Sequence, residues 1–109
     1  MITLINNATT IGQGEGTTIG WGKDEANTTH TFQITCNGSP SRVKVQIQGT
    51  IDGTNYACIL EHEMTAEELA NDTAIFHLIN KPVPKIRASI TELSGGVSPT
   101  VSVYYYKGE

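Results

Sequence analysis

The sequence predicts an all-β fold, an antiparallel β-sandwich or jelly-roll-like domain with one short helical turn near residues 65–71, and three observations carry this. Apolar residues recur with a period of two from Thr28 onward, which in a strand places them on one face. Clusters of Gly, Asn, Asp and Pro punctuate these runs at short intervals, as turns require. One segment alone carries a helix signal, a capping box over Thr65-Ala66-Glu67-Glu68.

Two regions are expected: residues 1–27 as a Gly/Thr/Asn-rich arm or loop with at most short strands, and residues 28–109 as the β-sandwich domain. Between Asn6 and Asn27 stand five of the 11 glycines, a composition that loses much entropy on ordering and buries little. A short strand around residues 17–21 is the most that it should form, with Trp21 as its large anchor. Phe32, Ile34 and Cys36 then share one face, and Val43, Val45 and Ile47 another, with Arg42, Lys44, Gln46 and Gln48 turned the opposite way. Asn37-Gly38-Ser39-Pro40 between them predicts a hairpin.

Asp52-Gly53 is a strong turn signal and should fold residues 42–51 back against residues 55–61. Thr65 as N-cap and Glu68 three residues later open a helix of one or two turns, which Asn71-Asp72 ends. Residues 74–79 read as a short strand, and Pro82 and Pro84 mark an edge or a strand entrance. In residues 85–93, Ile86, Ala88 and Ile90 point inward while Lys85, Arg87, Ser89 and Thr91 point outward. Gly95-Gly96 signals another turn. The final run puts Val101, Val103 and Tyr105 on one face and Tyr104 and Tyr106 on the other.

A chain of 109 residues fits one domain, able to bury roughly two-thirds of the surface that its unfolded form exposes. Its 38% hydrophobic and 17% charged residues are too apolar for a disordered chain, and no stretch approaches the length of a membrane span. Seven Lys and Arg against 11 Asp and Glu give a net charge of -4, which argues against nucleic acid and anionic membranes as partners. Residues 1–5 lack a basic leader and a cleavage site, so no secretion signal is expected. Cys36 and Cys58 are then expected as free thiols, and the Asn-x-Thr/Ser sequons as products of composition.

No catalytic, cofactor-binding or metal residues are expected, and the reading is non-enzymatic. Gly12-Gln13-Gly14-Glu15-Gly16 would need Gly at Thr17 and a βαβ unit to bind a dinucleotide. Glu61-His62-Glu63 lacks the second His that H-E-x-x-H would put at Ala66, and strand alternation turns His62 away from both Glu neighbours. The serines form no G-x-S-x-G elbow. The aromatics Trp21, Tyr56, Tyr104, Tyr105 and Tyr106 suit either a sugar-stacking platform or a protein contact.

The run Val43-Lys44-Val45-Gln46-Ile47-Gln48-Gly49-Thr50-Ile51-Asp52-Gly53-Thr54-Asn55-Tyr56 resembles a pattern in small structural proteins of tailed bacteriophages. There a strand ending in G-[ST]-[IL]-D-G-T-N-[WY] precedes a helical turn, a strand like Pro84-Lys85-Ile86-Arg87-Ala88-Ser89-Ile90 and a Gly-containing turn. The likeness covers residues 42–106. It implies a virion protein, assembled in the host cytoplasm, that decorates the capsid surface or serves the head or tail. The implied partners are the major capsid protein or other virion proteins, with a homotrimer favoured. On that reading Ile2, Leu4, Ile5 and Trp21 are candidate anchors, since an extended apolar segment can add a strand to a neighbouring sheet. Tyr104 and Tyr106 are further candidate contacts. The alternatives are a carbohydrate-binding module for host-surface glycans, stacking on Tyr104, Tyr106 and Trp21, and a tail or neck adaptor.

Overall fold

The computed structural model describes residues 2–14, 16–18, 30–79 and 83–107. In chain order the elements are β1 (Ile2–Ala8), β2 (Gly12–Gln13), β3 (Thr17–Thr18), β4 (His30–Asn37), β5 (Arg42–Thr50), β6 (Ala57–Glu63), α1 (Ala66–Asn71), β7 (Thr73–Leu78), β8 (Lys85–Ser94) and β9 (Thr100–Lys107). They build a β-sandwich of two antiparallel sheets, one ordered β1-β9-β4-β7 and the other β2-β8-β5-β6, with β3 also paired to β8.

Period-two patterning explains the core. Phe32, Ile34 and Cys36 from β4, with Val101, Val103 and Tyr105 from β9, face inward from the first sheet. Val43, Val45 and Ile47 from β5, with Ile86, Ala88 and Ile90 from β8, meet them from the second. Phe32 anchors the aromatic part, its ring 5.4 Å from Phe76 and 5.3 Å from Tyr105. Burying a side chain of this size contributes about 1.5–3 kcal/mol, so a continuous core of this kind outweighs the loose turns around it.

Asp52-Gly53 does turn β5 onto β6, with Ile47 opposite Leu60. The expected hairpin at residues 37–40 does not form: β4 and β5 lie in different sheets, and this turn crosses the sandwich. The turn before β9 crosses back, and the two crossovers lock together. The Val97 amide donates to the Gly38 carbonyl at 2.9 Å and the Ser41 amide to that of Ser94 at 2.9 Å. Gly38 and Gly96 adopt φ of 83° and 73°, and a Cβ on Gly96 would lie 2.1 Å from the Gly38 oxygen. The same Gly and Asn signals serve hairpins and crossovers alike, so turn chemistry could not tell the two apart.

The N-terminal region, expected as an arm or loop with at most short strands, holds β1, β2 and β3 among its described residues. Residues 2–8 form an edge strand of the first sheet, Ile2 opposite Tyr105 and Ile5 opposite Val103. Leu4 and Ile5 are 5% and 8% exposed, core residues of this chain. A bulge between Thr3 and Ile5 turns two consecutive residues inward, which breaks the alternation that would have announced a strand.

The helix forms as its capping box predicts. The Glu68 amide donates to the Thr65 hydroxyl at 3.2 Å, and the Thr65 amide donates to the Glu68 carboxylate at 2.9 Å. Asp72, in the left-handed region at φ 57°, ends it.

Candidate functional site

The sandwich presents two outer faces of different chemistry. On the first sheet, Thr31, Gln33 and Thr35 of β4 lie beside Thr73, Ile75 and His77 of β7 and Tyr104 and Tyr106 of β9. Thr31 bonds His77 Nδ1 at 3.1 Å, and the Gln33 amide donates to Thr73 at 3.1 Å. Ile75 and Tyr106 stand out at 57% and 62% exposure. Between them a shallow hollow of about 90 Å³ is floored by Tyr105 and walled by Thr31, Gln33 and Tyr104. Among the described residues projecting from these three strands on this face there is no Asp, Glu, Lys or Arg.

The second sheet is the reverse, a belt of charged and amide groups. Arg87 Nε donates to Gln48 Oε1 at 2.7 Å, Gln48 Nε2 to Gln46 Oε1 at 3.3 Å, and Gln46 Nε2 to Glu61 at 2.8 Å. Lys44 pairs with Glu61 at 3.2 Å, and Arg42 with Glu63 and Glu92 at 3.3 Å and 2.6 Å. The Gln46 amide, then Lys44, hold the Glu61 carboxyl below its ordinary value, while Glu61 raises the Lys44 ammonium. At one end the Arg87 guanidinium sits 4.0 Å from the centroid of the half-buried Tyr56 ring. The backbone of Gly16 passes so close that a Cβ there would lie 2.2 Å from the Tyr56 hydroxyl.

Bulges bring these groups into line. One places Glu92, not Thr91, opposite Lys44, and another sets Gln48 opposite Cys58 after Ile47 has paired with Leu60. Extra residues of this kind re-aim side chains locally.

Other chemistry stays apart. His62 turns away from Glu61 and Glu63, stacks on Phe76 at 4.8 Å and reaches Glu68 at 3.0 Å. Among the described residues no group of three or more His, Cys, Asp or Glu side chains is placed to hold a metal ion. Asp52 accepts hydrogen bonds from Thr54, Asn55 and Thr50 at 2.7–2.9 Å, and so closes the β5–β6 turn. A mostly apolar hollow of about 410 Å³ lies beside that turn, lined by Gly49, Ile51, Ile59 and Val83.

Of the residues that the sequence singled out, Tyr104 and Tyr106 share the uncharged face, Tyr104 half-buried. Leu4 and Ile5 are corrected from contact candidates to core. Ile2 is 41% exposed but lies opposite Tyr105, on the inward-facing side of its sheet. Trp21 lies outside the described residues. Sequence reasoning missed Ile75 as a companion of Tyr106, because only the pairing of β7 and β9 to opposite edges of β4 brings them near. It placed Arg42, Lys44, Gln46, Gln48 and Arg87 outward, but their joining into one belt needed the register.

No family model matches the chain, and no curated protein matches it. A solved structure described as "CBM4 structure and function" aligns over 88% of this chain at 19% identity with a TM-score of 0.42. The alignment covers 61% of that structure's own chain. Likeness at this level carries no functional argument.

Proposed function

We propose that the chain is a non-enzymatic accessory subunit of a tailed-phage particle, docking on the major capsid protein through the outer face of the β1-β9-β4-β7 sheet and so decorating the head. One observation carries the docking face: exposed Tyr106 and Ile75 flank a hollow among Thr and Gln side chains with no charge between them. Interface centres are enriched in aromatic residues and depleted of charge, because a charge stripped of water without a partner is expensive. The capsid as partner comes from the turn-and-strand resemblance over residues 42–106. The N-terminal strand gives this reading no anchor, since Leu4 and Ile5 are spent on the chain's own core. Repetition over a symmetric shell would multiply individually weak contacts into firm attachment.

The test is co-sedimentation of the purified protein with expanded capsids that lack it. Wild type should pellet with capsids, and the pair Ile75→Asp with Tyr106→Ala should lose at least about tenfold in affinity while keeping its melting temperature, as removal of a hot spot does. Failure of wild type to pellet, or undiminished binding by the folded variant, overturns the reading. Pelleting with tails alone would replace the capsid by a tail partner.

A further inference from the structure

We infer that the belt on the opposite sheet is a binding strip for a neutral polysaccharide, with Tyr56, Arg87, Gln48, Gln46 and Glu61 as its contact residues. This goes beyond the docking reading and rests on it only for orientation: a particle covering one sheet leaves the other, back to back with it, facing outward.

The chemistry of the strip selects the ligand. A sugar hydroxyl donates one hydrogen bond and accepts others, so a row of hydroxyls needs alternating donors and acceptors. Planar amides and a guanidinium fork provide both in fixed geometry. The chain of bonds from Arg87 through Gln48 and Gln46 to Glu61 fixes which end of each amide is oxygen and which is nitrogen. It uses one N–H of each Gln and one of the five that Arg87 carries. The second N–H of each amide and the Arg87 Nη groups make no hydrogen bond among the described residues. Because these side chains are already held, a ligand loses little of their rotamer freedom on binding.

Charge narrows the choice further. Arg42, Lys44, Lys85 and Arg87 stand against Glu61, Glu63 and Glu92, and each of the three carboxylates has a cationic partner on the same face. One excess cation on such a surface is a small local field, and the chain as a whole repels an anionic polymer at a net charge of -4. A neutral polyhydroxylated chain meets no such barrier. Tyr56 with Arg87 over its ring supplies the flat, polarisable patch against which the C–H face of a sugar packs. Alternate residues from Lys44 to Gln48 extend the strip by about 13 Å along β5, the reach of an oligosaccharide segment and not of one sugar.

The experiment is affinity electrophoresis of the full chain in native gels containing dextran, a soluble β-glucan or a galactomannan, with alginate as the anionic control. At least one neutral polymer should retard wild type, and added salt should leave the retardation unchanged. Gln46→Ala with Gln48→Ala, and separately Arg87→Lys, should each weaken retardation at least about tenfold with melting temperature and capsid co-sedimentation preserved. Tyr106→Ala should leave it intact. No retardation by any neutral polymer, retardation by alginate alone, insensitivity to the strip variants, or loss in Tyr106→Ala would each overturn the inference. Because capsid binding is read on the other sheet, either proposal can fail without the other.

Discussion

His62 Nε2 donates to Glu68 Oε1 at 3.0 Å, so the carboxylate that closes the helix capping box also holds the ring that stacks on Phe76. A six-residue helix cannot sustain itself in water, and this side chain ties it to β6 and, through the ring, to β7.

Thr65→Ala removes only the cap. It should destabilise by about 1 kcal/mol, a melting shift of roughly 4–8 °C in a domain of this size. Glu68→Ala should cost more, since His62 loses its partner as well. Burial pushes the Glu68 carboxyl up, but the Thr65 amide and His62 together carry it below its ordinary 4.5. A depressed carboxylate adds stability above its unfolded value and loses it as pH falls through the folded one. The melting gap between wild type and Glu68→Ala should therefore be full above pH 4.5 and narrow below it, as calorimetry across pH would register.

Tyr105 contributes a second, opposite pH dependence. Its hydroxyl lies 2.7 Å from His30 Nδ1 in the core, and burial pushes its ionisation up to about 12. Folding favours the neutral phenol, so this contribution is complete below the ordinary value of 10 and is lost as pH rises toward 12. Ultraviolet titration should find one tyrosine that ionises only near pH 12, missing from Tyr105→Phe. That variant leaves a buried His30 without its hydroxyl partner and should destabilise by about 1–3 kcal/mol.

Asp52 holds its turn through the amides of Asn55 and Thr54, which with the Asn55 and Thr50 side chains keep its carboxyl well below the usual carboxylate range. Asp52→Ala should speed hydrogen exchange at the Thr54 and Asn55 amides while leaving β4 and β9 protected. Unchanged exchange at those two amides would show that the turn stands without it.

The two thiols should separate cleanly. Cys58 is exposed, whereas Cys36 is buried and its thiol is pushed up, first by burial and then by Asp72 beside it. Ellman's reagent should titrate one thiol in the native protein and two after denaturation, and Cys58→Ser should remove the fast-reacting one.

Much of this architecture was legible. Alternation gave the inward sets on β4, β5, β8 and β9, and Thr65 with Glu68 gave the helix, because both signals depend on neighbours a few residues apart. What escaped depends on partners far along the chain. The crossover at Gly38 carries the residues of a hairpin turn, and only its lock onto Gly96 reveals which sheet follows. Leu4 and Ile5 point inward side by side because of a bulge that no local pattern announces. For the sites, Tyr106 could be placed outward from parity alone, whereas Ile75 beside it, and Arg87 in line with Gln48 and Gln46, are products of register between strand residues about 40 to 75 positions apart.

The place of β9 bears on how the molecule comes into being. It runs between β1 and β4, with Tyr105 opposite Ile2 on one side and Phe32 on the other, yet it follows both in the chain. During synthesis β1 and β4 leave the ribosome before the strand that joins them, so β1 and the β9-facing edge of β4 wait as open edges. Closure is then a late, long-range event, which sets a slow folding rate for so small a fold and makes the nascent chain, not the folded one, the form most exposed to aggregation.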